Sequence, residues 1–146
     1  MFSIKKANSW LNLNKYMGIL LLRLFIGFRI LYGVLDNVLS WNKMTEFSKF
    51  LNQNNFPFPL TSAVTSVYFQ FFCSILIIIG FKIRYAAFLL IINFLVALIF
   101  VHLKANDTIE GMTPVLAMLF GCFTLLFTGA DKISIDHYYS SNKKAK

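Results

Sequence analysis

Residues Leu20–Trp41, LLLRLFIGFRILYGVLDNVLSW, decide the fold of this chain. The run is apolar enough to cross a bilayer, yet it carries Arg23, Arg29, Asp36 and Asn37. At about 100° per residue, Arg29, Gly33, Asp36 and Ser40 share one stripe of a helix. A charge near the centre of a membrane helix costs roughly 2.5–3.5 kcal/mol on insertion scales. The stripe is therefore expected to face protein or trapped water, with other apolar segments enclosing it.

The rest of the chain supplies those segments. Of its 146 residues 58% are hydrophobic and only 14% charged, and the mean hydropathy is +0.65. That leaves too few polar residues to cover a water-soluble surface. The expected fold is all-α, a single membrane domain over 1–146 with helices at about 16–41, 62–79, 84–103 and 113–128. A short amphipathic helix over 42–53 lies between the first two, because Trp41, Met44, Phe47 and Leu51 recur at spacings of three and four. Asn52–Leu60, NQNNFPFPL, is a proline-interrupted turn, and Thr61 or Ser62 is the expected cap of the second span. Thr113-Pro114 is the expected start of the fourth. Trp10 and Leu11 at one end, and Tyr138 and Tyr139 at the other, suit the headgroup region.

The net charge of +8 marks topology. The basic residues flank the apolar blocks and form no polar face of the kind nucleic acid needs, so no nucleic-acid partner is expected. Lys5, Lys6, Lys15, Lys82, Arg84, Lys132, Lys143, Lys144 and Lys146 fall on one side of the bundle, and Lys43, Lys49 and Lys104 on the other. By the positive-inside rule both termini are expected in the cytoplasm. No cleavable leader pattern is evident at the N-terminus. Cys73 and Cys122 sit inside apolar blocks with no CxxC spacing, which reads as buried free thiols and no metal site.

Five landmarks in order carry a resemblance: LLLRLFIGF with a following YG, the FPFPL turn, the GFKIRYAA hairpin, the apolar third helix ending FVHL, and GADKISID. Over about residues 18–137 the chain resembles the DoxX family. The resemblance implies a four-helix protein of the bacterial inner membrane, part of a quinone-linked redox or oxidative-stress system. It also implies membrane assemblies with a redox enzyme. Two positions depart from the pattern. Asp36-Asn37 stands where many members carry a lysine, and Gln70 near where many carry a glutamate. An amide cannot titrate, so a proton-handling role for that glutamate does not transfer to Gln70.

The candidate site is a polar cavity lined by Arg29, Asp36, Gln70 and His102, with Tyr32 on its wall. Arg29, Gln70 and Asn93 lie at similar depth by helix rise, so a buried hydrogen-bonded cluster among them is expected. Asp36 is the natural counter-charge to Arg29, two turns away. Such a cavity suits a quinone head group, whose carbonyls need donors while its ring needs the apolar wall of Phe25, Phe28, Tyr32, Phe69 and Phe72. The same polar residues, taken as structure, would hold four helices in register. Asn93 and His102 are nine residues apart, which places them on opposite helix faces. Arg23, Asn37, Asn93 and Arg84 read as structural polar residues, with Arg23 snorkelling to cytoplasmic phosphates and Arg84 contacting lipid phosphate. Ala117 and Gly121 form a small-residue packing face, within the bundle or against a second copy.

With no phosphate loop, nucleophile elbow, haem motif or paired carboxylates, the isolated chain is expected not to be an enzyme. Within one, it would be the membrane subunit of a quinone-linked oxidoreductase. No covalent cofactor is expected, and quinone is the ligand considered. Two alternatives remain: a structural or assembly subunit anchoring a partner protein, as a homo-oligomer or with a redox enzyme, and a small-solute transporter.

Overall fold

The computed structural model describes residues 15–129 and 133–144. Trp10 and Leu11 lie outside the described residues, as does the side chain of Tyr139. The described chain forms α1 (Lys15–Leu39), α2 (Trp41–Gln53), α3 (Pro59–Ile79), α4 (Ile83–Ala97), a π-helical continuation of α4 (Leu98–Leu103), α5 (Ile109–Thr128) and α6 (Ile135–Lys144). Among the described residues four helices are long and apolar enough to cross a membrane: Tyr16–Leu39, Pro59–Ile79, Ile83–Leu103 and Ile109–Thr128. Their outer sides expose Leu21, Phe28, Phe72, Phe88 and Phe127, large apolar side chains of the kind a bilayer covers.

Two apolar cores hold the helices. The larger joins Ile26 and Ile30 of α1, Cys73 and Ile77 of α3, Leu90 and Phe94 of α4, and Leu119, Cys122 and Leu125 of α5. Gly121 makes this closeness possible, since a Cβ there would collide with the Ile26 side chain. The small-residue face of α5 therefore packs inside the bundle at Gly121, while Ala117 stays exposed. Both cysteines are buried and free, as expected.

The smaller core seats α2. Met44 and Leu51 are buried against Val34 of α1 and Ala63 and Val67 of α3. Ser40, in extended conformation, separates α1 from α2, so the first span ends at Leu39 instead of running on to Trp41. On the exposed face Lys43 donates to Glu46 at 2.8 Å. That bond holds the Glu46 carboxyl below its ordinary range and the Lys43 ammonium above its own.

Two expected helix starts move. Span two begins at Pro59, with Phe58 in the left-handed region (φ 49°) as its cap, and the Ser62 hydroxyl donates back to the Pro57 carbonyl. Proline at the first helical position has no N–H to leave unpaired, so the helix gains three residues over the expected start. Span four begins at Ile109, because the Thr108 hydroxyl accepts from the Gly111 N–H and caps it. Pro114 therefore lies inside the helix and not at its start.

At the end of the bundle opposite α2, three distant segments lock together. Arg23 is 3% exposed, and its Nη2 donates to the Ile133 carbonyl at 3.0 Å. The expected snorkelling toward lipid phosphates gives way to burial because Ile133 and Ser134, just before α6, come against this end of the bundle and Ile133 accepts from the arginine. Gly80 ends α3 in the left-handed region (φ 77°), where a Cβ would meet Ser134 and the Arg23 guanidinium. Its carbonyl accepts from the Asp136 N–H at 3.0 Å. Arg84 lies across Gly129, where a Cβ would come 2.7 Å from its Nε.

Candidate functional site

At the α2 end, two cavities open on either side of α4. The first, about 650 Å³, lies beneath α2 between α3 and α4. Phe47, Phe56, Phe58 and Phe69 wall it, and Thr61, Thr65, Ser66, Asn93 and His102 edge it with polar groups. The hydroxyls fall on one face because Thr61 and Thr65, and Ser62 and Ser66, are each four residues apart. The second, about 500 Å³, is a groove between α1 and α5 lined by Phe25, Arg29, Gly33, Gln70, Phe94, His102 and Met118 among others.

His102 lines both cavities. Asn93 and His102 both line the first, contrary to the expectation that nine residues set them on opposite faces. The reason is the π-helical segment Leu98–Leu103. A π turn takes more residues than an α turn, so each residue within it advances by less than about 100°, which swings His102 back toward the Asn93 side.

Of the expected site residues, the structure brings Arg29, Gln70 and His102 to one groove. Asp36 and Tyr32 line neither cavity, and Tyr32 is 79% exposed. Asp36 does not answer Arg29. Its carboxylate accepts from the Asn37 N–H at 2.9 Å and from Asn37 Nδ2 at 3.3 Å, the local bond that short acidic side chains favour over a distant partner. Arg29 is exposed in its groove, with no hydrogen bond or ion pair to any described residue. Its guanidinium folds back over Gly33, where a Cβ would lie 3.3 Å from Nη1, so it reaches toward the α2 end.

Gln70 and Asn93 do join, but through a residue the sequence reading passed over. Gln70 Nε2 donates to Ser66 Oγ at 3.1 Å, and Ser66 Oγ donates to Asn93 Oδ1 at 2.9 Å. This chain links α3 to α4, and Arg29 has no part in it. It also runs from one cavity to the other, with Gln70 on the groove and Ser66 and Asn93 on the α2-capped side.

His102 has the carboxylate partner that the sequence reading did not give it. Its Nδ1 lies 2.8 Å from Asp107 Oδ2, five residues on. Asp107 is held by its other oxygen, which accepts from the Thr108 N–H at 3.1 Å. A side chain at 111 would intrude on that carboxylate, because a Cβ there would come 2.6 Å from Asp107 Oδ1. The polar run NDT between His102 and the fourth span was the available signal. Among the described residues no cluster of three or more metal-ligating groups forms.

Four apolar spans around two buried cores, with two largely apolar cavities at one end, define a multi-pass helical membrane protein. The profile of the DoxX family matches residues 18–103, more than half of the chain. The chain belongs to the DoxX family. No curated protein and no solved structure matches it.

Proposed function

We propose that this protein is a quinone-binding component of a redox or oxidative-stress system in the bacterial inner membrane, with both termini in the cytoplasm. The observation that carries the reading is Arg29, a guanidinium without a described partner, lining a groove that Phe25, Phe94 and Met118 wall. A quinone places carbonyl acceptors where Arg29 and Gln70 offer donors, and its ring and tail fit the apolar wall. Cationic side chains within spans are kept where they meet a ligand or a pathway, which favours a site at this depth. The charge bias, nine basic residues against three, supports an orientation with the α2 end and both cavities on the outer side.

In this role the chain supplies binding and orientation, and any electron transfer belongs to a partner redox enzyme, with the chain as its membrane subunit. Protein purified in mild detergent is extracted for bound quinone and titrated with a short-chain quinone, following the thermal unfolding midpoint. Wild-type protein is expected to carry quinone and to be stabilised by it. Arg29→Leu is expected to lose at least tenfold in affinity while keeping its fold. No extracted quinone, together with no stabilisation of the wild type, overturns the reading.

A further inference from the structure

We propose that Asp107 and His102 form a hydrogen-bond-accepting pair serving the cavity beneath α2, and that this cavity takes an apolar molecule bearing a hydroxyl group, of the phenol class. The inference concerns the cavity beneath α2; His102 also lines the Arg29 groove, whereas Thr65 lines only this cavity, so a substitution at Thr65 reads it apart from any quinone bound in the groove.

The chemistry starts from the dyad. With Asp107 Oδ2 at 2.8 Å, the hydrogen of the neutral imidazole sits on Nδ1, where it donates to the carboxylate. The other ring nitrogen, Nε2, is then a bare acceptor, and no described residue donates to it. Thr108 N–H fixes the carboxylate from behind, and the absence of a side chain at Gly111 leaves it room. The π-helical turn places His102 on the wall of this cavity as well as on that of the Arg29 groove, and such turns gather at functional positions. An acceptor so held selects a ligand with a hydrogen to give.

The cavity sets the remainder of the ligand. Its volume of about 650 Å³ lies within the range of small-molecule sites. Phe47, Phe56, Phe58 and Phe69 offer ring faces and edges to an aromatic body, and Phe56 already meets Phe100 edge to face at 5.5 Å. Phe58, at the mouth, holds a positive φ of 49°, a strained conformation that ligand clamps retain. Along the hydroxyl wall, Ser62 and Ser66 spend their hydrogens on Pro57 and Asn93. They offer no competing donor to His102.

The test uses the full chain in lipid nanodiscs, with empty nanodiscs as the reference for partition into lipid. The probes are 4-hexylphenol and its methyl ether, which fill nearly the same space but differ in the donor. Wild-type protein is expected to prefer the phenol about tenfold, the value of one hydrogen bond to an otherwise unmet acceptor. His102→Phe is expected to bring the ratio to about one while the ether still binds. Asp107→Asn is expected to reduce the preference, since an amide no longer fixes which ring nitrogen carries the hydrogen. Thr65→Trp, at an exposed position on the cavity wall, is expected to abolish binding of both probes. His102→Gln gives a second reading of the ratio if the phenylalanine variant misfolds. Equal affinity of the two probes for wild type, a preference that survives both His102 substitutions, or undiminished binding to Thr65→Trp would each overturn the proposal.

Discussion

The carboxylate of Asp136 accepts the backbone N–H of Lys82 at 2.8 Å, across 54 residues of chain, and that of Ile83 at 3.2 Å. Lys82 is the residue that caps α4, in the left-handed region at φ 48°. Its own side chain makes no capping bond, so the tail supplies the cap that the hairpin lacks. The acid also places negative charge at the positive end of the α4 dipole.

Removing that cap has a defined cost. Asp136→Ala is expected to lower stability by about 1–2 kcal/mol, the usual range for a lost N-terminal cap. Asp136→Asn is expected to recover part of it, since the amide oxygen still accepts. Thermal unfolding in detergent, followed by circular dichroism, reads both. An alanine variant as stable as wild type would show that the tail does not hold α4.

Gly121 and Ile26 are expected to behave as one unit. Gly121→Ala forces a Cβ into the Ile26 side chain, and overpacking of this kind costs about 1–3 kcal/mol. Ile26→Val removes a methyl group from the crowded side and is mildly destabilising alone. Combined, the two substitutions are expected to cost clearly less than their sum. A strictly additive pair would mean that α1 and α5 do not meet at these two positions.

The two arginines of α1 show what could be seen in the sequence. Four spans, their order, the amphipathic α2 and the free buried cysteines all follow from patterns within about twenty residues, and they were legible. The fate of each arginine was not. Helix rise puts Arg29 deepest, and depth alone argues for shelter, yet the side chain that becomes buried is Arg23. Its acceptor is the Ile133 carbonyl, 110 residues away, and no local pattern announces that contact. Three of the five family landmarks, around Arg23, Gly80 and Asp136, converge at this end, so the resemblance held a spatial fact that periodicity could not. At the other end the error was geometric. A constant 100° per residue sends His102 away from Asn93, and the π-helical turn overrules it.

Ser66 joins the two cavities through its bonds to Gln70 and Asn93, and its replacement tests whether that link is structural. Ser66→Ala leaves both amides without their shared partner. Polar contacts between membrane helices average about 0.6 kcal/mol, with a ceiling near 1.7, so a loss of about 0.5–1.5 kcal/mol is expected. Chemical unfolding in mixed micelles, compared between Ser66→Ala, Asn93→Ala and the double variant, isolates the coupling. No coupling between them would remove the link from the account of how α3 and α4 are joined.

Arg29 gives the opposite expectation, and the contrast separates a site from a scaffold. Arg23→Leu discards a part-buried hydrogen bond from a charged donor to the Ile133 carbonyl, which costs about 1.5–3 kcal/mol. Arg29→Leu breaks no hydrogen bond or ion pair with a described residue and removes a charge from a span whose insertion it opposes. The Arg29 variant is therefore expected to be at least as stable as wild type, with an unfolding midpoint equal or higher. A residue that weakens its own span and gives nothing to the fold is kept for what it binds. Destabilisation of Arg29→Leu by as much as Arg23→Leu would assign the guanidinium to the architecture and take away the observation on which the quinone reading stands.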